Sequence, residues 1–341
     1  MSKPVLNKRI VSKPGSEKSI IQRIERAFRV ASSHGKSGLR LALGDDAALW
    51  QPAKGFETVL SCDWFLEGSH FWRDKHPPDA IGWKCLARAT SDIAAMGGIP
   101  RIFLVSLALP QSHTGKWFEE FLKGLRRASR SLGCELAGGD TTRSEKVLIN
   151  IMVVGEVKAG SAVLRSGARP GDILYVSGTL GQAEAGLQEI RKRRSLPKPL
   201  TPALKKHLYP EPRLELGQWL GKNGLASAMM DISDGLSTDL ARLCAASGTG
   251  ARILAARLPV LRGASPLAAE KLALDGGDDY ELLFTVPGKK SKFIPMRFGR
   301  LPLTPIGEIS DDKKILLLEN DGDERPLSSA GWDPFRKKPA R

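Results

Sequence analysis

Histidine and cysteine are scarce in this chain, five and four among 341 residues. Cys62, Cys85, Cys134 and Cys244 are scattered, with no C-x-x-C pair. This excludes a Cys/His zinc site and a disulfide framework, and it suits reduced thiols in the cytoplasm. Aromatic residues make up only 6% of the chain, and they do not alternate with basic residues as in a surface that stacks nucleic-acid bases. No apolar run reaches the length of a membrane span. The first residues lack the apolar core of a signal peptide. No nucleophilic triad is apparent. Gly35-Lys36-Ser37 imitates the end of a Walker A loop, but the required earlier glycine is replaced by Val30 and no strand precedes it.

What the chain has is enough apolar sequence, 41%, for two domains with real cores. Its formal net charge is +15, from 52 basic and 37 acidic residues. Much of that excess lies in residues 1–29, in Arg191-Lys192-Arg193-Arg194 and after Phe335, where it reads as solvated flanks. Helical periodicity is expected over Ser19–Val30 with Ser16 as cap, over the apolar run from Asp79, and over Trp117–Leu132. Short strands are expected at 39–43, 58–63, 102–109, 147–157, 173–177, 228–232, 282–286, 305–309 and 315–318. Further helices are expected at 182–190, 214–221 and 236–247, and the basic, proline-bearing 191–213 reads as a surface excursion. Strands alternating with helices imply mixed α and β layers in both halves.

The chemistry concentrates in aspartates. Leu136-Ala137 runs into Gly138-Gly139-Asp140-Thr141-Thr142-Arg143, which reads as a loop. Two glycines let the backbone approach a ligand, free N–H groups cradle phosphate, and arginine forks onto phosphoryl oxygens. An aspartate beside phosphate makes sense with a divalent cation between them. The alternative is a tight turn with a solvated carboxylate. Asp46, Asp63, Asp92, Asp231 and Asp234 repeat the pattern, each expected at or beside a turn after apolar sequence. So many carboxylates meeting in one cleft need cations, and hard oxygen donors select Mg²⁺. Magnesium points to phosphoryl transfer, which needs positioning and charge neutralisation more than a protein nucleophile.

The stretches GDDAA (44–48), SCDWFLEGSHF (61–71), SDIAAMGGIP (91–100), GGDTTR (138–143), RSGARPGD (165–172), DISDG (231–235), GGDDYELLF (276–284) and IGEI (306–309) occur in one order over about residues 20–335. In this ordered set the chain resembles the thiamine-monophosphate kinase family, in the superfamily of aminoimidazole ribonucleotide synthetase and selenophosphate synthetase. The resemblance implies an α+β fold of two mixed α/β domains. Its implied domains are an N-terminal one (19–160) whose sheet pairs with its copy in a homodimer and a C-terminal one (161–335) covering the nucleotide; the flexible basic start (1–18) and the basic tail (336–341) are read from composition and are unmatched in the family. It implies a phosphotransferase that converts ATP and thiamine monophosphate to ADP and thiamine diphosphate with Mg²⁺. By position, Asp46, Ser61, Cys62, Asp63, Asp92, Asp140, Asp231 and Asp234 would surround the magnesium ions. Asp140, Asp234 and Asp46 would be the catalytic acids. Gly139, Asp140, Arg165 and Ser233 would contact ATP, and His70, Asp278 and Trp332 the thiamine phosphate.

Three positions depart from the family pattern, one of them Thr90, where the family carries Asn. The family carries Thr where Cys62 stands, leaving a backbone contact there. It carries Glu where Asp278 stands, one methylene longer, so a substrate contact would be lost or pass to water or to Glu281. Two other readings compete: another ATP-dependent enzyme of the superfamily with a different acceptor, and a basic nucleic-acid-binding protein on the same scaffold. Membrane association is not expected.

Overall fold

The computed structural model describes residues 16–28, 37–43, 45–319 and 321–336. The Walker-like Gly35-Lys36 and most of the basic termini lie outside them. The first half runs α1 (Glu17–Phe28), β1 (Leu39–Leu41), β2 (Leu49–Trp50), β3 (Phe56–Leu66), α2 (Pro78–Ala95), β4 (Ile99–Leu109), α3 (Lys116–Leu132), β5 (Glu135–Arg143) and β6 (Leu148–Lys158). Ser16 caps α1 as expected, its Oγ accepting from Ser19 N at 3.3 Å. The helix starts ahead of Ser19, and positions 29–30 fall outside the described residues.

The first sheet is ordered β3-β6-β4-β5. Strand periodicity gives it two unlike faces. Val59, Phe65, Phe103, Val105, Ile149 and Ile151 bury themselves with Phe118, Phe121 and Leu125 on the side of α2 and α3. The opposite face carries Leu60 and Trp64, 66% and 55% exposed. Among the described residues only its β4–β5 end is covered, where Leu39, Ala48 and Trp50 lie on Ile102, Ala137 and Val154.

The second half adds β7 (Asp172–Ser177), α4 (Gln182–Lys192), α5 (Pro202–Leu208), α6 (Leu214–Lys222), β8 (Ala228–Ile232), α7 (Leu236–Ser247), β9 (Gly250–Leu254), α8 (Pro266–Asp275), β10 (Glu281–Pro287), β11 (Arg297–Phe298), β12 (Leu301–Ser310), β13 (Ile315–Leu318) and β14 (Glu324–Pro326). Its sheet is ordered β14-β13-β9-β12-β7-β10-β8, with β11 beside β12. Met230, Ile232 and Leu283 pack under Leu240, Leu243 and Leu274 on one face. Met229, Leu282 and Phe284 meet Leu216 and Leu220 of α6 on the other. Both faces are covered, so these strands read as continuous apolar runs.

Three expectations change. Residues 138–143 are strand, because β5 pairs in parallel with β4 through Gly139 opposite Val105 and Asp140 opposite Ser106. A Cβ on Gly139 would come within 2.0 Å of the Val105 carbonyl oxygen, so this glycine serves close backbone approach. Segment 191–213 is not a mere surface excursion: α5 is capped by Thr201 and buries Leu204 and Leu208 against Ile190 and Ala80. The apolar run from Asp79 and the segment around Asp92 form one helix, so Asp92 sits inside α2, not beside a turn.

Helix α2 belongs to both halves. Against α3 its backbone approaches so closely that a Cβ on Gly82 would lie 2.1 Å from Phe121 O, and one on Gly124 1.8 Å from Asp79 O. Against α6, a Cβ on Gly217 would lie 2.1 Å from Ala94 O. Gly124→Val is therefore expected to destabilise the protein by about 3 kcal/mol, the scale of severe overpacking, read as a lower urea midpoint with an unchanged slope.

Candidate active site

A cavity of about 810 Å³ opens between β3 and α2 on one side and the turns after β8 and α8 on the other, with residues 330–335 along its rim. Glycines bring these turns together. A Cβ on Gly235 would meet the backbone of Asp275 at 2.8 Å, and one on Gly331 would meet Asp234 O at 2.0 Å. Trp332 N donates to Asp234 O at 2.8 Å, which fixes that indole beside the acid turn.

One end of the cavity is acidic. Asp63, Asp92, Asp231 and Asp234 line it. Ser61 donates to Asp92. Burial raises the Asp92 pKa and the Asp63 charge adds to it, against the Ser61 hydrogen bond. Burial pushes the Asp231 carboxyl well up, with Asp92 the next cause. Asp239 organises the turn, accepting from Ser233 N at 3.0 Å and Asp234 N at 2.9 Å. Arg242 bridges Asp234 at 2.6 Å and Asp239 at 2.8 Å. Among the described residues, no three acid, His or Cys side chains stand close enough to hold a metal ion by themselves.

The other end holds His70, Asp278 and Tyr280. His70 Nδ1 accepts from Leu66 N at 3.0 Å, so the neutral ring carries its proton on Nε2. Burial and then the Arg88 charge lower its pKa to about 4. Asp278 adopts φ 68°, a conformation aspartate tolerates. Lys84 Nζ lies 2.8 Å from its Oδ2 and Tyr280 donates to its Oδ1 at 2.7 Å. Burial would raise Asp278, but Lys84 and Arg88 overcome it and hold the carboxyl well below the usual range. Behind Lys84, His207 Nδ1 lies 3.3 Å from the ammonium, and His207 Nε2 lies 3.2 Å from His76 Nε2.

The predicted residues therefore divide. Asp63, Asp92, Asp231, Ser233, Asp234, His70, Asp278 and Trp332 converge on the cavity, as does Cys62. Alternation along β3 puts Ser61 and Asp63 toward α2 and the Cys62 side chain on the opposite face, where its Sγ lies 3.3 Å from Asn150 Oδ1. Arg165 is exposed outside the cavity, yet its charge favours ionised Asp92. Asp140 shares a face with Ser106, Asn150 and Trp64, away from α2 and α3. It stands three strands from β3, about 14 Å at normal spacing. Gly139 is beside it, and Asp46 is exposed next to β2, on the side where β1 and β2 cover the sheet. A single chain does not bring these three to the cavity. Glu281 does not take over from Asp278, because Lys206, Arg213 and Ser177 engage its oxygens. Burial would raise Glu281, but Lys206 and Arg213 bring its pKa down to about 2.

Sequence reasoning missed Lys84, Arg88, Lys206, His207 and Arg213. The signal for the first two was the spacing Lys84, Arg88, Asp92 along one stripe of an apolar helix. The others were hidden in a segment read as surface.

Residues 44–157 match the N-terminal domain of AIR synthase related protein, and residues 169–318 match its C-terminal domain. The chain belongs to this family, and its relatives there are thiamine-monophosphate kinases. That of Escherichia coli K12 is 38% identical, covering 92% of this chain and 97% of its own length. That of Bacillus subtilis is 32% identical, covering 88% and 95%. The crystal structure of the Stenotrophomonas maltophilia kinase superposes with TM-score 0.77 at 33% identity, covering 90% of this chain and 97% of that one. AaThiL complexed with AMPPCP and TMP superposes with TM-score 0.72 at 32% identity, covering 94% and 97%.

The facing imidazoles make a pH prediction. Their Nε2 atoms cannot both carry protons, and Lys84 adds a third charge. Burial and then Lys84 lower the His76 pKa from 6.5 to about 4. An unfolded chain takes up this proton near pH 6.5 and the folded one only near 4, so acid favours unfolding. Stability should fall by about 3 kcal/mol for His76 between those pH values. Urea midpoints across that range should show a shallower fall in His76→Asn.

Proposed function

We propose that this chain transfers the γ-phosphoryl group of ATP to thiamine monophosphate, giving ADP and thiamine diphosphate. The observation that carries this reading is the division of the cavity, carboxylates at one end and His70 and Tyr280 at the other with Trp332 on the rim, in a chain similar over nine-tenths of its length to thiamine-monophosphate kinases. The donor set suits Mg²⁺, being all oxygen: burial raises both Asp92 and Asp231, and the Asp92 charge raises Asp231 further. Asp63, Asp92, Asp231 and Asp234, with Ser61 and the backbone of Cys62, would hold it. Bound there, magnesium supplies neutralising charge at the phosphates, and it is commonly held by one or two carboxylates plus phosphate oxygens.

The chain's own residues position the reactants. Trp332 offers a flat π face to a cationic ring. His70 Nε2–H is a hydrogen-bond donor toward the acceptor. Ser233 and Arg165 would contact ATP. The acceptor phosphate is already ionised at neutral pH, so the reaction needs no general base and the acids act through position and charge. We read residues 19–160 and 161–335 as the two domains, preceded by a basic start (1–18) and followed by a basic tail (336–341), and the cytoplasm as the location.

Gly139, Asp140 and Asp46 would serve the site of a second copy. Their face of the first sheet exposes Leu60, Trp64 and Met152, an apolar patch of the kind that marks interfaces. A homodimer joined there would complete each acidic end with Asp140 and Asp46 of the other copy, and these with Asp234 would be the catalytic acids.

Asp140→Ala and Asp234→Ala should each abolish thiamine diphosphate formation, followed by chromatography, while circular dichroism stays native. Dimers reassembled from an equal mixture of the two variants should regain about a quarter of wild-type activity, since half the dimers are mixed and each has one intact site. No recovery in verified mixed dimers would rule out the shared site.

A further inference from the structure

We propose that Arg88 is the group that binds the acceptor's phosphate, and so makes the site select a phosphate monoester over its dephosphorylated form. This rests on the reading of the site as a thiamine-monophosphate kinase. Arg88 lies on α2 midway between Lys84 and Asp92, one turn from each, and so at the junction of the cavity's two ends. Its guanidinium sits 5.3 Å from the Phe65 ring centroid, which holds the plane in place. Its nearest acid is Asp63, at 3.8 Å from Nε, too far for a hydrogen bond.

The Nε donor of this side chain is idle: it is buried and has no hydrogen-bond partner among the described residues. The side chain is 13% exposed. A buried guanidinium with unfilled donors is costly, so such a group marks a place where an acceptor docks. The neighbouring cations are committed elsewhere: Lys84, behind the lining, is engaged by Asp278 and faces His207, Arg242 is bonded to Asp234 and Asp239, and Arg191 stands 3.7 Å from Glu184. Asp278 in turn has both oxygens occupied, by Lys84 and Tyr280. Arg88 is thus a buried cation of the lining with an unfilled donor, and its planar fork matches two oxygens of a phosphate. A phosphate held there lies beside Asp63 and Asp92, next to the metal-binding acids, which is where a phosphate oxygen must stand to meet the γ-phosphorus of ATP.

The test is calorimetric titration of thiamine monophosphate and of thiamine into wild-type protein and into Arg88→Gln and Arg88→Lys, with Mg²⁺ and a non-hydrolysable ATP analogue. Losing a charge-assisted pair should weaken thiamine monophosphate binding about 30-fold in Arg88→Gln. Thiamine binding should stay within threefold, and Arg88→Lys should recover part of the loss. In turnover, the KM for the acceptor should rise while that for ATP holds. Equal weakening of both ligands, or no weakening of either, would overturn the assignment, because a structural counter-ion of Asp63 affects them alike. Wild-type protein that makes no thiamine diphosphate would instead overturn the reading of the site. Near-wild-type melting of Arg88→Lys guards against a folding defect in Arg88→Gln.

Discussion

One buried ion pair joins the halves of this protein. Lys84 projects from α2 in the first half, 1% exposed, and meets Asp278 in the turn between α8 and β10 of the second. An ammonium in that position survives only if its partner is in place, since an unpaired buried charge costs several kcal/mol. The pair therefore ties the placement of the Asp278 turn to the register of α2. Through that register it also ties the turn to Arg88 and Asp92, one and two helical turns further on. The acidic end and the acceptor end of the cavity are held at fixed separation by a single helix.

Around that axis, the second half is arranged as layers of support. Asp279 accepts from Gly181 N and Ala183 N and anchors the start of α4. Glu281 gathers Lys206, Arg213 and Ser177 and so locks α5 and the segment after it onto the sheet. Tyr280, at φ 50°, is strained for an aromatic residue, and the bonds of its N–H to Ile232 O and its hydroxyl to Asp278 hold it there. Three consecutive residues after Asp278 thus each fix a different neighbour.

Much of this was legible in the sequence. The α+β class, most element positions and the ordered acid-bearing stretches could be read from periodicity and from residue pattern. The strands of the second half were easy because both faces are apolar. What escaped reading was whatever depends on a partner distant in sequence. Lys206, His207 and Arg213 look like surface residues because nothing local reveals Glu281 or Lys84. Asp63 and Asp92 were expected beside turns, yet one is in a strand and the other in a helix, where tertiary pairing tolerates a charge. The run from Gly138 to Arg143 has the composition of a loop, and only its ladder with β4 makes it a strand.

The seam between α2 and α6 is backbone against backbone, with Gly217 lying on Ala94. Such contact leaves no layer of side chains to slide or hinge. The carboxylates that α2 and the second half contribute to the cleft are therefore placed relative to one another by folding. A site arranged in this way is preorganised: association has to immobilise the substrates but does not have to assemble the cleft, so less of the interaction energy is lost to conformational entropy.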